Sequence, residues 1–270
     1  MQTDDELLAA ARRGDATALE SLLVRYQPHL YRFGLRMCGN VDDAGEVAQE
    51  SLISMARAIR DFRGDASVSS WLYTIARRSC MKKRRRGKFA PVREESIDAP
   101  GADAHRLADA APSPEQSAAN REIEAALTQA IDALEPSYRE VLVLRDVEGL
   151  SAADAAKVLK ISVDAVKSRL HRARAAVRRE IAPLLGADSA DTPRGCPDVV
   201  TLLSRHLEGD LDPQVCATME AHLARCGRCR GACDTLKRTL ALCRSWATPQ
   251  VPAPVAASVR TAIQAFLSER

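Results

Sequence analysis

Apolar residues recur at steps of three and four along most of this chain, and this spacing limits the possible folds more than any other feature. One such run consists of Leu19, Leu22, Leu23, Tyr26, Leu30, Phe33 and Met37. Because steps of three and four return to the same side of a helix, the run predicts an amphipathic helix. Alternating stretches are sparse and aromatic residues make up only 4% of the chain, which argues against a β-sandwich or barrel. The sequence therefore predicts an all-α fold class.

The composition of residues 89–119 differs from that of the sequence on either side. This segment holds nine Ala, four Pro and six acids against two Arg, and its apolar residues follow no period. Such a composition is typical of a flexible linker, and 270 residues exceed the needs of one small domain. We expect helical domains at 1–88 and 120–186, linkers at 89–119 and 187–195, a cysteine-rich domain at 196–244, and a Pro-rich linker with an amphipathic helix at 245–270.

Several classes of protein are disfavoured by features that the sequence lacks. The opening residues are acidic rather than basic and apolar, and no stretch approaches roughly 18 uninterrupted apolar residues. We therefore expect a soluble, cytoplasmic protein with no membrane partner. There is also no Gly-rich phosphate loop and no nucleophile elbow. We expect that the protein is not an enzyme.

Residues 149–174 have the pattern of a helix-turn-helix. Ser151 is placed to cap one helix, and residues 160–162 form a tight turn into a basic helix. The apolar face of that second helix comprises Val163, Val166, Leu170, Ala173 and Val177. The rest of the helix surface is available to DNA. The residues that could reach a major groove are Asp164, Lys167, Ser168, Arg169 and Arg172. The alternative is a solvated basic helix in an ordinary bundle.

A second basic run begins at Arg77 and contains eight Lys and Arg residues, without an acid, by Lys88. A basic run alone is often merely solvated. Here the aromatic residues Phe62, Trp71 and Tyr73 lie just upstream, and aromatic faces beside a basic track suit unpaired bases. The run therefore favours contact with single-stranded DNA, although Trp71 is equally compatible with a place in the core.

Four motifs in this order resemble the extracytoplasmic-function sigma factors of bacterial RNA polymerase. They are VDDAGEVAQE from Val41, FRG from Phe62, WLYTIAR from Trp71 and VKSRLHRAR from Val166. The resemblance covers about residues 5–185. The chain departs from the family pattern at Gly45, where the family prefers an acid, at Arg78, where Asn is frequent, and at Asp164, where Gly is usual.

The resemblance implies core RNA polymerase and promoter DNA as partners. It implies that the first domain binds polymerase through Asp43, Glu46, Gln49 and Glu50. It also implies that the same domain opens the minus-ten element, with Phe62 and Trp71 capturing an extruded base and Arg77, Arg78, Lys82 and Lys83 holding phosphates. The helix-turn-helix would read the minus-thirty-five element, and the acidic linker would thread the polymerase cleft.

Six of the eight cysteines lie within residues 196–243. In a reducing compartment this predicts metal binding or redox sensing rather than a disulfide framework. His222, Cys226 and Cys229 have the spacing of three zinc ligands. Residues 196–244 also resemble the zinc-binding anti-sigma domain, which implies Cys196 as the fourth ligand; Cys216 and then His206 are the alternatives. A helical hairpin with incidental buried cysteines is the alternative to a zinc site.

The cysteine-rich tail would join an inhibitor to its usual target in one chain, so we expect it to contact the sigma domains intramolecularly. Tethering raises the effective concentration of such a contact. The zinc would be structural or sensory, and whether the tail inhibits or activates is left open, as is the reactivity of Cys216, Cys233 and Cys243. The alternative function is a stand-alone metal- or redox-responsive helix-turn-helix regulator, which would not need the polymerase-contact helix.

Overall fold

The computed structural model describes residues 2–62, 64, 67–87, 114–187, 195–245 and 251–268. These residues contain helices and turns but no β-strand, which confirms the predicted all-α fold class. The α-helices are α1 (Asp4–Arg12), α2 (Ala16–Cys38), α3 (Val41–Ala58), α4 (Val68–Gly87), α5 (Pro114–Asp132), α6 (Pro136–Leu142), α7 (Ala152–Leu159), α8 (Val163–Ile181), α9 (Val199–Leu207), α10 (Pro213–Arg225), α11 (Gly227–Ser245) and α12 (Ala253–Ser268).

Helices α1 to α4 and α12 form one compact unit, unit 1. Helix α2 runs through the centre of unit 1. Its apolar stripe is buried there, and Leu22, Leu23, Leu30 and Phe33 have no exposed surface. Pro28 lies inside this continuous helix. Gly34 lets α2 and α3 approach closely, since a Cβ there would lie 2.9 Å from the Ala44 Cα. Helix α12, from the far end of the chain, packs against α3.

Helices α5 to α11 form the second compact unit, unit 2. Its first part is a helical scaffold in which α6 continues into a π-helical turn, Val143–Val147, before Gly149 at a φ of 73°. Helices α7 and α8 follow. The remaining helices, α9 to α11, are called the cysteine-rich module (residues 196–245) below. Their shared core contains Val199, Leu203, Met219, Leu236 and Leu240, together with Cys229 and Cys233.

Most of the two predicted linkers lies outside the described residues, namely 89–113 and 188–194. Helix α5 begins at Pro114, so the end of the segment predicted as a flexible linker is helical; proline suits the first turn of a helix because its missing N–H is not needed there. The six-segment division itself stays a prediction. Among the described helices, none is both long enough and apolar enough to cross a membrane.

Candidate nucleic-acid and polymerase interfaces

The α7–turn–α8 segment has the geometry of a helix-turn-helix. The Ser151 hydroxyl accepts a hydrogen bond from the Asp154 N–H and so caps α7. Lys160 takes a left-handed conformation, with a φ of 57°, and Ser162 then caps α8 by accepting from the Ala165 N–H. These local devices turn the chain sharply between the two helices.

Helix α8 packs on the scaffold through the buried side chains of Val166, Leu170, Ala173 and Val177. Val163, which the sequence placed on the same face, is instead 37% exposed. It is the first residue of α8. The apolar face therefore begins one turn later than the sequence suggested.

The five residues predicted to read DNA lie along the first half of α8. Asp164, Ser168 and Arg172 are exposed, whereas Lys167 and Arg169 are half-buried. Arg172 donates a hydrogen bond of 3.2 Å to the Tyr138 hydroxyl of α6. Lys167 forms an ion pair with Asp210, which follows α9. A cleft of about 400 Å³ lies beside these residues, and it is lined by α8 side chains and by Thr201 and Asp210 of the cysteine-rich module.

A buried ionic network joins α8 to the cysteine-rich module. Arg174 donates two hydrogen bonds, of 2.8 and 2.6 Å, to the Asp146 carboxylate and another, of 2.8 Å, to Glu208. It also donates to the Ser204 hydroxyl at 3.1 Å. The side chains of Arg174, Asp146 and Glu208 are each no more than 3% exposed. Buried charges are tolerated only when they are paired and hydrogen-bonded in this way.

Glu208 is held by two arginines, since it also forms an ion pair with Arg145. Burial acts to raise the pKa of Glu208, but the hydrogen bond from Arg145 and the charge of Arg174 outweigh it and hold the pKa below its usual value. Glu208 is therefore a carboxylate at neutral pH. Its charge ties the module to the scaffold of α8.

His171 lies at the same contact, between Lys167 and Arg174 on α8. Its Nδ1 is 2.8 Å from the Ser204 hydroxyl of α9. Burial, followed by the nearby charge of Arg174, lowers the pKa of His171. The imidazole is therefore neutral at pH 7 and contributes a hydrogen bond rather than a positive charge to this surface.

Sequence reasoning missed the partners of Arg174, although one signal was available. Arg174 lies four residues after Leu170 and eight after Val166, so it is on the buried face of α8 rather than on the face available to DNA. An arginine on such a face requires a buried acid. The acids that serve are Asp146, from an otherwise apolar run, and Glu208.

In unit 1 the predicted base-capturing aromatics stack on each other. The rings of Phe62 and Trp71 are 4.7 Å apart with an interplanar angle of 30°. Phe62 is buried and Trp71 is half-buried. Tyr73, by contrast, is 2% exposed and packs against Phe33, so it belongs to the core. Residues 63, 65 and 66 of the intervening loop lie outside the described residues.

The predicted phosphate-binding and polymerase-binding residues meet along α4 and α3. Arg78 and Lys82 are exposed, and Arg77 and Lys83 are half-buried. Lys83 forms ion pairs with Glu46 and, at 3.2 Å, with Asp43. Burial acts to lower the pKa of Lys83, but the two carboxylates raise it above the ordinary value.

The remaining residues predicted to bind polymerase complete the same side of α3. Glu50 is exposed and accepts a hydrogen bond from the Ser79 hydroxyl of α4. Gln49 is half-buried. Together with Asp43 and Glu46, these side chains form an acidic strip along α3 beside the basic residues of α4.

A cluster of Cys and His side chains lies in the cysteine-rich module. Ligand atoms of Cys196, His222, Cys226 and Cys229 all lie within 4.8 Å of one another. The His222 Nε2 is 3.2 Å from the Cys229 Sγ, and the Cys196 Sγ is 4.0 Å from the Cys226 Sγ. Tetrahedral zinc with these ligands requires donor atoms about 3.5–3.8 Å apart, so the four side chains fit zinc.

The surroundings of the cluster shift the pKa values of two of its cysteines in opposite directions. A hydrogen bond from the Cys229 N–H lowers the pKa of Cys226, while burial raises the pKa of Cys229. The alternative ligands lie elsewhere: the Cys216 Sγ is 3.5 Å from the His206 Nδ1 and does not join the cluster. Cys233 and Cys243 are buried in the packing of α11.

Comparison with known families places these features in one class. Residues 22–89 match the family model described as "Sigma-70 region 2" and residues 124–177 match "Sigma-70, region 4". Residues 196–230 match "Putative zinc-finger". An α-helical unit with an acidic and a basic strip, and a second unit with a helix-turn-helix, thus define a sigma-70-type transcription factor.

Similar proteins narrow the assignment further. The chain is 36% identical over 188 residues to the RNA polymerase sigma-H factor of Pseudomonas aeruginosa, covering 68% of this chain and 96% of that one. It is 34% identical over 178 residues to the ECF RNA polymerase sigma factor SigM of Mycobacterium tuberculosis, covering 66% of this chain and 84% of that one. The chain belongs to the extracytoplasmic-function (ECF) family of RNA polymerase sigma factors.

Among solved structures, CnrH in complex with the cytosolic domain of CnrY is similar to this chain. The two chains are 26% identical, with a TM-score of 0.47, over 64% of this chain and 94% of that one.

Proposed function

We propose that this sigma factor reads promoters with the residues named above and that its own cysteine-rich module restrains that activity. In this proposal the acidic strip of α3 binds core RNA polymerase. Phe62 and Trp71 receive a base of the minus-ten element, and the basic residues of α4 hold its phosphates. Helix α8 reads the minus-thirty-five element.

The observation that carries the restraint is the ion pair between Lys167 and Asp210. Lys167 lies on the half of α8 predicted to read DNA, and its ammonium group already pairs with the carboxylate of Asp210, as it would with a DNA phosphate. Thr201 of the module lines the cleft beside the same face. DNA must therefore displace Asp210 before Lys167 can contact it.

Several further contacts hold the cysteine-rich module against the scaffold of α8. Besides the Glu208 network, Arg178 of α8 donates to the Ala232 carbonyl at 3.2 Å, and Arg238 of α11 donates to the Leu185 carbonyl at 3.0 Å. Because the module is covalently tethered, each of these contacts operates at high effective concentration. A modest set of contacts is then sufficient to compete with promoter DNA.

We assign one zinc ion to Cys196, His222, Cys226 and Cys229. Cys196 lies just before α9 and His222 is on α10, whereas Cys226 lies between α10 and α11 and Cys229 is in the first turn of α11. These side chains would hold zinc so that it cross-links the three helices. The link keeps the loop that carries Glu208 and Asp210 in the conformation that docks on α8, so loss of the metal releases the restraint.

Transcription in vitro with core polymerase tests the proposal. Asp210→Asn removes the charge that faces Lys167, and since this pair is only partly buried we expect about fivefold more transcript and about fivefold tighter binding to minus-thirty-five duplex. The matched control is Asp234→Asn, because Asp234 is exposed on α11 and pairs only weakly, at 3.9 Å, with Lys237.

Two results would overturn the proposal. If Asp210→Asn behaves like Asp234→Asn, or if the gain persists when Lys167 is replaced by Ala, the module does not restrain α8 through this pair. If the full chain neither binds core polymerase nor supports initiation from any promoter, the alternative of a stand-alone regulator takes the place of the polymerase-dependent function.

A further inference from the structure

The contact between α12 and α3 lies outside the cysteine-rich module and has a different partner surface. Helix α12 belongs to unit 1 and packs against α3. Its inner side is apolar: Val259 is 1% exposed, and Val255 and Ala256 are half-buried. Its outer side, with Ala257, Ser258 and Arg260, is exposed. In its first two turns the helix therefore contacts α3 through valine and alanine side chains.

Val255 of α12 packs against Gly45 of α3. A Cβ at Gly45 would lie 3.2 and 3.3 Å from the two methyl carbons of Val255. Glycine inside a helix costs about 1 kcal/mol relative to alanine, so its presence in the second turn of α3 needs a packing reason. The close approach of Val255 supplies it. At this position the ECF family prefers an acid.

The covered side of α3 adjoins the acidic strip. Gln49 lies one helical turn beyond Gly45 on the same side, and Glu46 is its immediate neighbour. Packed helices have axes about 8–10 Å apart, and each helix with its side chains is about 10 Å wide. A second protein therefore cannot reach the Gly45 and Gln49 side of α3 while α12 is in place.

We propose that α12 is an intramolecular competitor for core RNA polymerase, seated on α3 at Gly45. This inference rests on the proposed polymerase contact of α3. Tethering keeps α12 at high effective concentration beside α3, so it competes with any partner that needs the same surface. Glu46 and Glu50 stay exposed beside α12, so a basic polymerase surface still meets a complementary charge at the first encounter.

The test measures the Kd of fluorescently labelled full-length chain for core polymerase. Val255→Asp and Val259→Asp each place a charge against α3 and should detach α12, so binding should become about tenfold tighter. Ser258→Asp is the matched control, because it adds the same charge to the exposed side of the same helix. Its Kd should equal that of the unsubstituted chain.

Amide hydrogen exchange gives a readout that does not depend on the variants. Adding core polymerase to the unsubstituted chain should speed exchange in the α12 segment from Val255 to Val259, since competing binding events weaken each other reciprocally. In the absence of polymerase, Gly45→Leu should speed exchange in the same segment, because the leucine side chain would clash with Val255 and displace α12.

The possible failures are distinguishable. If the valine variants and Ser258→Asp bind polymerase with the same Kd, or if polymerase leaves exchange in α12 unchanged, the inference about α12 is overturned while polymerase binding stands. If no form of the chain binds core polymerase, the proposed function is overturned and this inference falls with it.

Discussion

Glu208 is the residue whose removal should most weaken the docking of the cysteine-rich module on α8. Its side chain is 2% exposed and is held by Arg145 and Arg174. Breaking a buried ion pair costs about 3–5 kcal/mol when no other partner is left. Arg174 keeps both of its bonds to Asp146, and Glu208→Gln retains an acceptor oxygen. We therefore expect this substitution to cost about 2 kcal/mol, which is about a 30-fold change in the docking equilibrium.

Amide hydrogen exchange in the full chain measures this change. Protection of α9 should fall in Glu208→Gln, while protection of α2 in unit 1 should not. Glu220→Gln is the matched control, because Glu220 is an exposed acid on α10 of the same module. Equal protection of α9 in Glu208→Gln and Glu220→Gln would refute the argument that Glu208 secures the module.

The same residue predicts how docking depends on pH. The pKa of Glu208 in the folded protein lies below its ordinary value of 4.5. Its contribution is therefore fully present above about pH 4.5 and is lost as the pH falls through the lowered pKa. Protection of α9 should decline in that acidic range in the unsubstituted chain, and Glu208→Gln should lack this step.

Two further predictions concern the metal and unit 1. Metal analysis of the purified full chain should find about one zinc per chain. Cys226→Ser should abolish zinc binding, whereas the control Cys243→Ser, which alters a cysteine outside the cluster, should retain it. Zinc retained by Cys226→Ser would contradict the ligand assignment. Gly34→Ala should destabilise unit 1 by about 1–3 kcal/mol, because the new methyl group meets the backbone of Ala44. Thermal denaturation measures this loss of stability. Gly231→Ala is the control, because a Cβ at Gly231 on α11 would meet no other atom. An equal effect of both substitutions would contradict the close approach of α2 and α3.

The two proposed restraints act on different working surfaces of the protein. Residues of the cysteine-rich module line a cleft with the first half of α8, and α12 packs on the Gly45 side of α3. Since we propose that the first surface binds DNA and the second binds polymerase, Asp210→Asn and Val255→Asp should change different binding constants. Measuring both constants for both variants separates the two restraints.

Much of this architecture follows from local sequence. Caps, turns and apolar steps act over fewer than about ten residues, so Ser151, the turn at 160–162 and the buried stripe of α8 can be read directly from the order of residues. The class of protein also follows from the sequence, because the four motifs occur in their family order. The spacing of His222, Cys226 and Cys229 is equally local, and only Cys196 required a resemblance to select it.

The tertiary structure decided which of these surfaces are covered. Asp210 meets Lys167 across 43 positions in the sequence, and Val255 meets Gly45 across more than two hundred. No periodicity encodes such pairs, since a charged residue on a helix looks the same in sequence whether its partner is water, DNA or another part of the chain. Long-range packing alone determines that choice, and here it places Asp210 against a residue predicted to read DNA and Val255 against a glycine beside the residues predicted to bind polymerase.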